Sequence, residues 1–445
     1  MSNTIKIKKG LDIPLQGAAS GKISDCTAVS LAGIVPDDFP GYKWKAIVKP
    51  GEKVKCGDPL LTDKETGRIF LTSPLSGSVE EIRRGERRKI LAVTVRREDS
   101  ASSLILDGFP FTTAETIKEA LLRSGLWAMM RQRPYDVIPD PSVTPRDIFI
   151  TALDSAPLAP ALFSEKDKAD IQSGVAAMRH LTSGNVYLTF PKGKSMDISG
   201  AEIFEIEGPH PAGNVSVQID KIDAVNKGET VWALDIATLI RIGKLSRTGV
   251  TDYQTSVAVT GPLAIDPHII TTIIGAEIKE IIKPFMPADT SDVRVISGNV
   301  LTGKRINPQD GFLRYPYRQI TLLKEGAHAD EFMGWASLSP EKYSVKRNFP
   351  AFLRGLSKPF PFDARIKGGH RAMILSEEYD KVFPMDIYPE FLLKAIMARD
   401  IDKMEQLGIY EVAPEDFALP EFVDTSKIEL QKIVREGLDY LRNEI

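Results

Sequence analysis

Residues able to bind a metal ion or an iron–sulfur cluster are few in this chain, and they lie far apart. The two cysteines, Cys26 and Cys56, match no zinc or cluster spacing. None of the five histidines has another histidine three or four residues away, as a metal-binding helix would require. The histidines are His180, His210, His268, His328 and His370. The sequence therefore predicts no resident metal or cluster, and so few cysteines fit a reducing compartment.

One histidine has an unusual setting. His210 lies in Gly208-Pro209-His210-Pro211-Ala212-Gly213-Asn214, where prolines fix the backbone and glycines permit the close approach of another group. Such a loop can present a polar side chain to a ligand or to a partner protein. It can equally be a rigid structural turn, and the residue types alone favour the turn.

Two other segments have the spacing of a known chemical site. Residues 298–304 match a phosphate-binding loop as far as its lysine, but Arg305 stands where a Ser or Thr would hold magnesium. Pro308 then interrupts the helix that should meet the phosphate, which favours a turn between strands. Lys64 precedes Pro74 in a hairpin, near the position at which lipoyl domains carry a modified lysine. An exposed turn is the simpler interpretation.

Composition argues against nucleic acid and against a membrane span. The 445 residues include 57 Lys and Arg against 60 Asp and Glu, a formal net charge of −3. The basic run from Arg83 to Lys89 is flanked by glutamates and contains no aromatic platform for bases, which favours a solvated hairpin. The chain has no apolar run of about eighteen residues and no signal-peptide pattern. We expect a cytoplasmic protein that attaches to membranes only through partners.

The elements that must position these residues form a multidomain α/β (α+β) protein. Length alone predicts about three domains, and the pattern of residues along the chain suggests four. Residues 1–100 are β-rich: Ile5 and Ile7 alternate with lysines, and glycines and prolines separate short strands after Lys49. This part resembles a lipoyl/biotinyl-like β-sandwich.

Residues 101–255 alternate helix and strand, which is typical of a parallel, Rossmann-like α/β sheet. Thr113 is predicted to cap a helix, 147–153 to form a buried strand and 166–181 to form the next helix. Another strand is predicted to begin at Val186.

The last two regions have different patterns. Residues 256–330 return to strands separated by turn clusters, which predicts a small α+β domain with one helix at 267–274. Residues 331–445 are predicted to be helical, with a capping box of Ser426 and Glu429 before the final helix. An apolar stripe follows at helical spacing, and it is predicted to be core. Its members are Leu430, Val434, Leu438, Leu441 and Ile445.

Seven short segments, in order along the chain, carry a more specific likeness. They are residues 5–12, 133–136, 150–159, 208–213, 297–303, 371–373 and 384–389. Together they resemble the NqrA family, the A subunits of the sodium-translocating NADH:quinone oxidoreductases, over nearly the whole chain.

That resemblance implies a peripheral subunit on the cytoplasmic side of the bacterial inner membrane. The complex it implies has six subunits, passes electrons from NADH to quinone and exports sodium. Flavins, iron–sulfur centres and the NADH site would then lie on the five partner subunits, named B to F. The implied architecture is similar to that of the NADH-binding subunit of respiratory complex I, with a β-grasp domain of the SLBB type and a helical C-terminal domain.

The resemblance also indicates which cofactor sites this chain lacks. Relatives place a glycine-rich flavin loop where this chain has residues 127–134, whose bulky side chains would close a flavin mononucleotide site. Relatives of the Rnf type place cluster cysteines in the C-terminal helical part, and the A-subunit family often keeps a cysteine pair there, where this chain has Pro420 and Asp424. We therefore expect no permanently bound cofactor on this chain, and quinone is the ligand left open.

A quinone site needs an apolar slot and one or two donors to the carbonyl oxygens. The candidates for quinone contact are Trp127, His210 and Asn214. The predicted role is assembly of the complex together with the quinone-reduction end of its reaction. Two alternatives remain: a pure scaffold with no quinone site, and a lipoyl-type carrier protein modified at Lys64.

Overall fold

The structure is a computed structural model that describes residues 3–98, 104–106, 110–161, 163–326, 338–346, 350 and 358–444. Within these ranges the strands form four sheets, two with six strands, one with four and one with three. Helices accompany one of the large sheets and make up most of the C-terminal region. The multidomain α/β class predicted from the sequence is confirmed.

The elements are numbered in chain order. The strands are β1 (Asn3–Lys6), β2 (Ser20–Asp25), β3 (Leu31–Ile34), β4 (Trp44–Ala46), β5 (Lys53–Val54), β6 (Pro59–Asp63), β7 (Phe70–Thr72), β8 (Gly77–Arg84), β9 (Ile90–Arg97), β10 (Arg131–Arg133), β11 (Ile148–Thr151), β12 (Val186–Pro191), β13 (Glu202–Glu207), β14 (Val231–Asp235), β15 (Gln254–Thr260), β16 (His268–Ile273), β17 (Val293–Ser297), β18 (Lys304–Ile306) and β19 (Gln319–Lys324). The helices are α1 (Ala114–Arg123), α2 (Lys168–Arg179), α3 (Val215–Ile222), α4 (Ile236–Thr248), α5 (Ile278–Ile282), α6 (Pro389–Ala398), α7 (Ile401–Gln406), α8 (Ala418–Val423) and α9 (Leu430–Glu444).

The first three strands enter three different sheets. Strand β1 pairs in parallel with β13 in the α/β sheet, and β2 pairs in parallel with β16 in the β-grasp sheet. Only from β3, which pairs with β9, does the chain build the N-terminal β-sandwich of β3-β9-β8-β5 and β4-β6-β7. The range 1–100 therefore contributes strands to sheets that belong largely to other parts of the chain.

The α/β sheet has the order β1-β13-β12-β11-β14-β10, and β10 is its antiparallel strand. Strand β11 is central and begins with three buried residues, as a parallel strand covered on both faces requires. Thr113 caps α1, as predicted, and α2 lies within the predicted helix. Helices α2 and α4 approach closely because Gly243 has no side chain: a Cβ there would lie 1.8 Å from the Asp170 carbonyl oxygen.

The β-grasp sheet has the order β18-β17-β19-β15-β16-β2. The helix predicted at 267–274 is wrong, because this segment forms strand β16 and the short helix α5 follows it. Its run of isoleucines and threonines alternates between buried and half-buried positions, and β-branched side chains suit that pleated surface. The phosphate-loop-like segment 298–304 is the turn between β17 and β18, as predicted, where Asn299 Oδ1 accepts the Leu301 and Thr302 N–H groups.

The C-terminal region is helical from Pro389 onward. The predicted helical range begins too early, because the described residues 338–346 and 358–388 contain no helix; residues 331–337, 347–349 and 351–357 lie outside the described residues. The stripe on α9 is buried as predicted, apart from Ile445, which also lies outside them. Ile7, Ile206 and Ala212 of the α/β sheet and its loops belong to the same core. The helical region is therefore packed onto the α/β domain.

The predicted capping box of Ser426 and Glu429 is wrong. Helix α9 begins at Leu430, and the Ser426 hydroxyl donates instead to the Ala372 carbonyl oxygen at 3.0 Å. The turn before the helix is held by Asp424, whose two carboxylate oxygens accept the N–H groups of Ser426 (3.0 Å) and Ile428 (2.8 Å). Asp424, at one of the positions where the resemblance suggested a lost cysteine, thus organises the start of the last helix.

Replacement of Asp424 by Ala should lower the free energy of unfolding by about 1–3 kcal/mol, because two N–H groups lose their acceptors in a buried turn. Asp424→Asn keeps one acceptor oxygen and should lose less. Asp439→Ala, which removes a 57% exposed carboxylate on α9, is the matched control. Urea unfolding of the three variants tests this, and equal losses for Asp424→Ala and Asp439→Ala would contradict it.

Candidate functional site

The α/β sheet has a topological switch point at its central strand. From β11 the chain passes to β12 and β13 on one side, and then returns to β14 on the other. Ligand crevices in such sheets lie at the carboxyl ends of the strands around this point. Asp235 ends β14 and caps α4, its Oδ1 accepting the Thr238 N–H at 2.8 Å. Asp154 follows β11, so two carboxylates stand at this edge.

A segment of the β-grasp domain reaches this edge and is fixed there by an ion pair. Arg314 Nη2 lies 2.6 Å from Asp38 Oδ1, and Arg314 Nε bonds both Asp38 oxygens at 2.8 and 2.9 Å. The Tyr315 ring stacks on Phe39 with 5.3 Å between centroids, and its hydroxyl donates to the Met129 carbonyl oxygen at 2.8 Å. Residues of the β-sandwich, the α/β domain and the β-grasp domain therefore meet at one point. A narrow cleft lies beside it, lined by the end of β14, Arg241 of α4 and residues 313–318.

His210 is buried in the loop after β13. Its Nδ1 lies 3.1 Å from the Ser155 hydroxyl, which also accepts the Gly213 N–H at 2.7 Å. The Nε2 atom has no hydrogen-bond partner among the described residues. Burial lowers the pKa of His210 from 6.5 to about 4, against the opposing charge of Asp12. The imidazole is therefore neutral near pH 7.

Asn214 lies in the same loop as His210, but its side chain is engaged. Its Nδ2 donates to Asp416 Oδ1 at 3.1 Å and to the Glu415 carbonyl oxygen at 3.3 Å. The amide therefore connects the loop after β13 to the C-terminal region. A ligand contact through this amide would compete with that connection.

Trp127 is a core residue in this structure, with no exposed surface. Its ring meets Trp232 of β14 edge to face with 5.1 Å between centroids, and Nε1 donates to the Pro139 carbonyl oxygen at 2.9 Å. Ala128 and Met130 beside it are also fully buried. Thus His210 and Asn214 share one loop, while Trp127 contacts a different part of the domain.

A group of charged residues that the sequence reasoning missed lies beside Asn214. Arg133 is almost completely buried, and its Nη1 is 2.6 Å from Asp136 Oδ1 and its Nη2 3.6 Å from Glu415 Oε1. Burial and the adjacent Asp416 raise the pKa of Glu415, against the attraction of Arg133. Residues 133–136 were one of the segments that carry the family resemblance. Residues 415 and 416 are distant in sequence and approach Arg133 only in the folded chain.

Lys64 is exposed at the turn between β6 and β7. The turn is fixed by Asp63, whose carboxylate accepts the N–H groups of Thr66, Gly67 and Ile69. Although burial opposes the shift, these hydrogen bonds hold the pKa of Asp63 below its usual range. The basic run Arg83–Lys89 lies at the tip of the β8–β9 hairpin, as predicted.

Two further kinds of feature matter in the described ranges: a membrane-spanning helix and a group of metal-binding side chains. No helix there combines the length and the apolar character needed to cross a bilayer. Those same ranges hold no group of three His, Cys, Asp or Glu side chains placed to bind a metal ion.

Comparison with known families defines the class of protein first: a multidomain α/β protein with a barrel-sandwich, an α/β and a third domain. Residues 5–98 match the NqrA N-terminal barrel-sandwich hybrid domain, 112–251 the NqrA second alpha/beta domain and 256–307 the NQRA C-terminal domain.

Curated relatives match over almost the full length. The chain is 36% identical to the A subunit of the Na(+)-translocating NADH-quinone reductase of Hahella chejuensis, over 99% of this chain and 100% of that protein. It is 35% identical to the corresponding protein of Serratia proteamaculans, with the same coverage, and 35% identical to that of Rhodopirellula baltica.

A solved NAD+-reducing [NiFe]-hydrogenase gives a TM-score of only 0.37 at 12% identity, over 77% of this chain and 67% of that one. The chain belongs to the NqrA family, the A subunits of the Na(+)-translocating NADH-quinone reductases.

The buried, neutral state of His210 predicts a specific loss of stability in acid. Because the folded-state pKa is below the unfolded value, stability is full above about pH 6.5 and declines as the pH falls towards 4. Between pH 7 and pH 5 the loss from this residue should be about 2 kcal/mol. Between pH 7 and pH 5 the free energy of unfolding of His210→Gln should therefore fall by about 2 kcal/mol less than that of wild type. Urea unfolding at both pH values measures this difference.

His180→Gln, which changes an exposed histidine, is the control and should retain the wild-type pH dependence. If His210→Gln and wild type lost equal stability between pH 7 and pH 5, His210 would not be held neutral by burial.

Proposed function

We propose that this chain works as the NqrA component of a Na(+)-translocating NADH-quinone reductase, in assembly of the complex and at the quinone-reduction end of its reaction. The observation that carries the proposal is the similarity to proteins of that name over 99% of the chain. The proposal includes the five other subunits, named B to F, as partners and a peripheral position on the cytoplasmic side of the membrane. Flavins, iron–sulfur centres and the NADH site belong to those partners.

The state of His210 supports a role towards quinone. The Ser155 hydroxyl accepts the Gly213 N–H and can give its own proton to His210 Nδ1, which leaves the imidazole proton on Nε2. That Nε2 is a neutral donor with no partner among the described residues. A quinone carbonyl oxygen is an acceptor of matching chemistry.

The surface of α6 supports a role in assembly. Phe391 and Met397 are 53% and 58% exposed, and Tyr388 just before them is 68% exposed and contacts Phe391 edge to face. Exposed apolar side chains in contact with each other, such as Tyr388 and Phe391, are typical of protein contacts. Another protein of the complex would cover them.

The main alternative is a pure scaffold with no quinone site, and two observations favour it. Trp127 has no exposed surface, and the Asn214 amide already bonds the C-terminal region. The lipoyl-type carrier is a further alternative, since Lys64 is exposed on a hairpin. Intact-mass measurement of the purified chain decides that alternative by the presence or absence of an added group.

In the assembled complex, His210→Ala should reduce both quinone photolabelling of this chain and the rate of quinone reduction by up to about tenfold, because a neutral hydrogen bond contributes up to about 1.5 kcal/mol. Trp127→Phe, which keeps a packed ring and removes the indole N–H, tests the second candidate. His180→Ala is the matched control, and the protein composition of each purified complex reports assembly. Unchanged photolabelling and rate in both variants would contradict the quinone assignment and favour the scaffold.

A soluble quinone analogue titrated into the isolated chain distinguishes the two roles without the partner proteins. A saturable change in tryptophan fluorescence is expected for the quinone role, and a response without saturation is expected for the scaffold.

A further inference from the structure

The tip of the β8–β9 hairpin carries arginines whose charge is not balanced by carboxylates. Arg84, Arg87 and Arg88 are exposed, and none of them forms an ion pair within the part of the chain that the structure describes. Arg84 Nη1 donates to the Arg88 carbonyl oxygen at 3.1 Å, a hydrogen bond that leaves both positive charges in place. Because Glu86 is the acidic residue between these arginines, the tip has an excess of positive charge.

The glutamates that flank this basic run are paired on the strands and not at the tip. Glu80 Oε1 lies 2.7 Å from Arg96 Nη2, and Glu81 Oε2 lies 3.5 Å from Arg83 Nε. The flanking glutamates were one reason to expect a simple solvated hairpin. In the folded chain they compensate arginines of β8 and β9 and leave the charge of the tip as it is.

Contacts at the base of the tip hold it in one orientation. Lys89 Nζ lies 2.8 Å from Asp37 Oδ2, and Arg83 Nη1 lies 3.3 Å from Asp310 Oδ2 of the β-grasp domain. The Arg83 guanidinium also lies over the Phe312 ring, 5.8 Å from its centroid. The hairpin is therefore anchored on both of its strands, and the arginines beyond the anchors face solvent.

The hairpin extends beyond the strands beside it. Strand β3 pairs with β9 only at residues 93–96, and β5 pairs only with the start of β8. Residues 82–92 are thus accompanied by no other strand of the described ranges. Within this end, Leu91 is 40% exposed and packs over Gly85, where an added Cβ would lie 3.1 Å from a Leu91 methyl group. The end of the hairpin therefore presents an apolar side chain as well as arginines.

We propose that this tip, residues 84–91, binds the anionic headgroups of a membrane surface directly. The planar guanidinium fork suits the paired oxygen atoms of a phosphate group, and the exposed Leu91 can enter the headgroup layer. The sequence predicted attachment to membranes only through partner proteins. Direct contact with lipid goes beyond the function proposed above, and it does not depend on a quinone site.

A membrane fits this tip better than an acidic protein does. A stable protein interface covers about 800 Å² on each partner, which the end of a two-stranded hairpin does not supply. Attraction to an anionic leaflet instead accumulates charge by charge. The chain as a whole has a formal net charge of −3, so such a surface should attract the tip and repel much of the rest.

The test is sedimentation of the full chain with vesicles of phosphatidylcholine that contain about one-third phosphatidylglycerol. Wild type should bind these vesicles at low salt, dissociate at high salt and bind vesicles of phosphatidylcholine alone much more weakly. Absence of binding to the anionic vesicles, or equal binding to both kinds of vesicle, would overturn the proposal.

Single variants test the tip in both directions. Arg84→Gln, Arg87→Gln and Arg88→Gln should each lower the affinity for anionic vesicles by about fivefold. Glu86→Gln, which removes the carboxylate of the tip, should raise it by a similar factor, a gain that a folding defect cannot produce. Unchanged affinity in Glu86→Gln together with the three arginine variants would overturn the assignment.

A matched control separates the tip from the general charge of the chain. The triple variant of Lys43→Gln, Lys45→Gln and Lys49→Gln removes three exposed charges elsewhere in the β-sandwich, as the triple arginine variant does at the tip. The lysine variant should keep most of the wild-type affinity, and equal losses in the two triple variants would overturn the proposal. Poly-glutamate tests the acidic-protein alternative: if it displaced the vesicles at an equal concentration of charge, the tip would be a protein contact and not a lipid contact.

Discussion

The structure depends on one buried contact between distant parts of the chain, the ion pair of Asp38 and Arg314. Both side chains are largely buried. The Asp38 carboxylate also accepts the Tyr315 N–H at 3.0 Å. A buried pair of this kind contributes little net stability over an apolar contact, but losing one partner leaves an unpaired charge. Its main effect is therefore to fix one arrangement of the β-sandwich and the β-grasp domain.

The other features of the site follow from that arrangement. Tyr315 extends the junction to the α/β domain through the Met129 carbonyl oxygen, and the same segment carries Arg318 into the cleft. The N-terminal strands reinforce the junction, because β1 and β2 pair with β13 and β16 in the two other domains. The carboxyl edge of the α/β sheet, where related folds place ligands, is thus covered by another domain while a cleft persists beside it.

Sequence reasoning predicted what depends on local pattern: the cap at Thr113, the buried strand β11 and the apolar stripe of α9. It was wrong at β16, where a helix was predicted although the β-branched residues favour a strand, and at Ser426, whose hydroxyl donates to the Ala372 carbonyl oxygen instead of capping a helix. The candidate site was predictable only in part. His210 could be singled out because it stands in a distinctive loop rich in proline and glycine. The partners of Arg133, and the approach of Arg318 to Arg241, arise from contacts across the chain that no local pattern records.

A double-mutant cycle with Asp38→Asn and Arg314→Gln tests the central claim, that one buried ion pair holds the domains in this arrangement. Urea unfolding followed by tryptophan fluorescence gives the free energy for wild type, both single variants and the double variant. Each single variant should lose about 3–5 kcal/mol, and the double variant should lose little more than either, because the second change removes the charge that the first leaves unpaired. Losses that add to within about 0.5 kcal/mol would contradict the account.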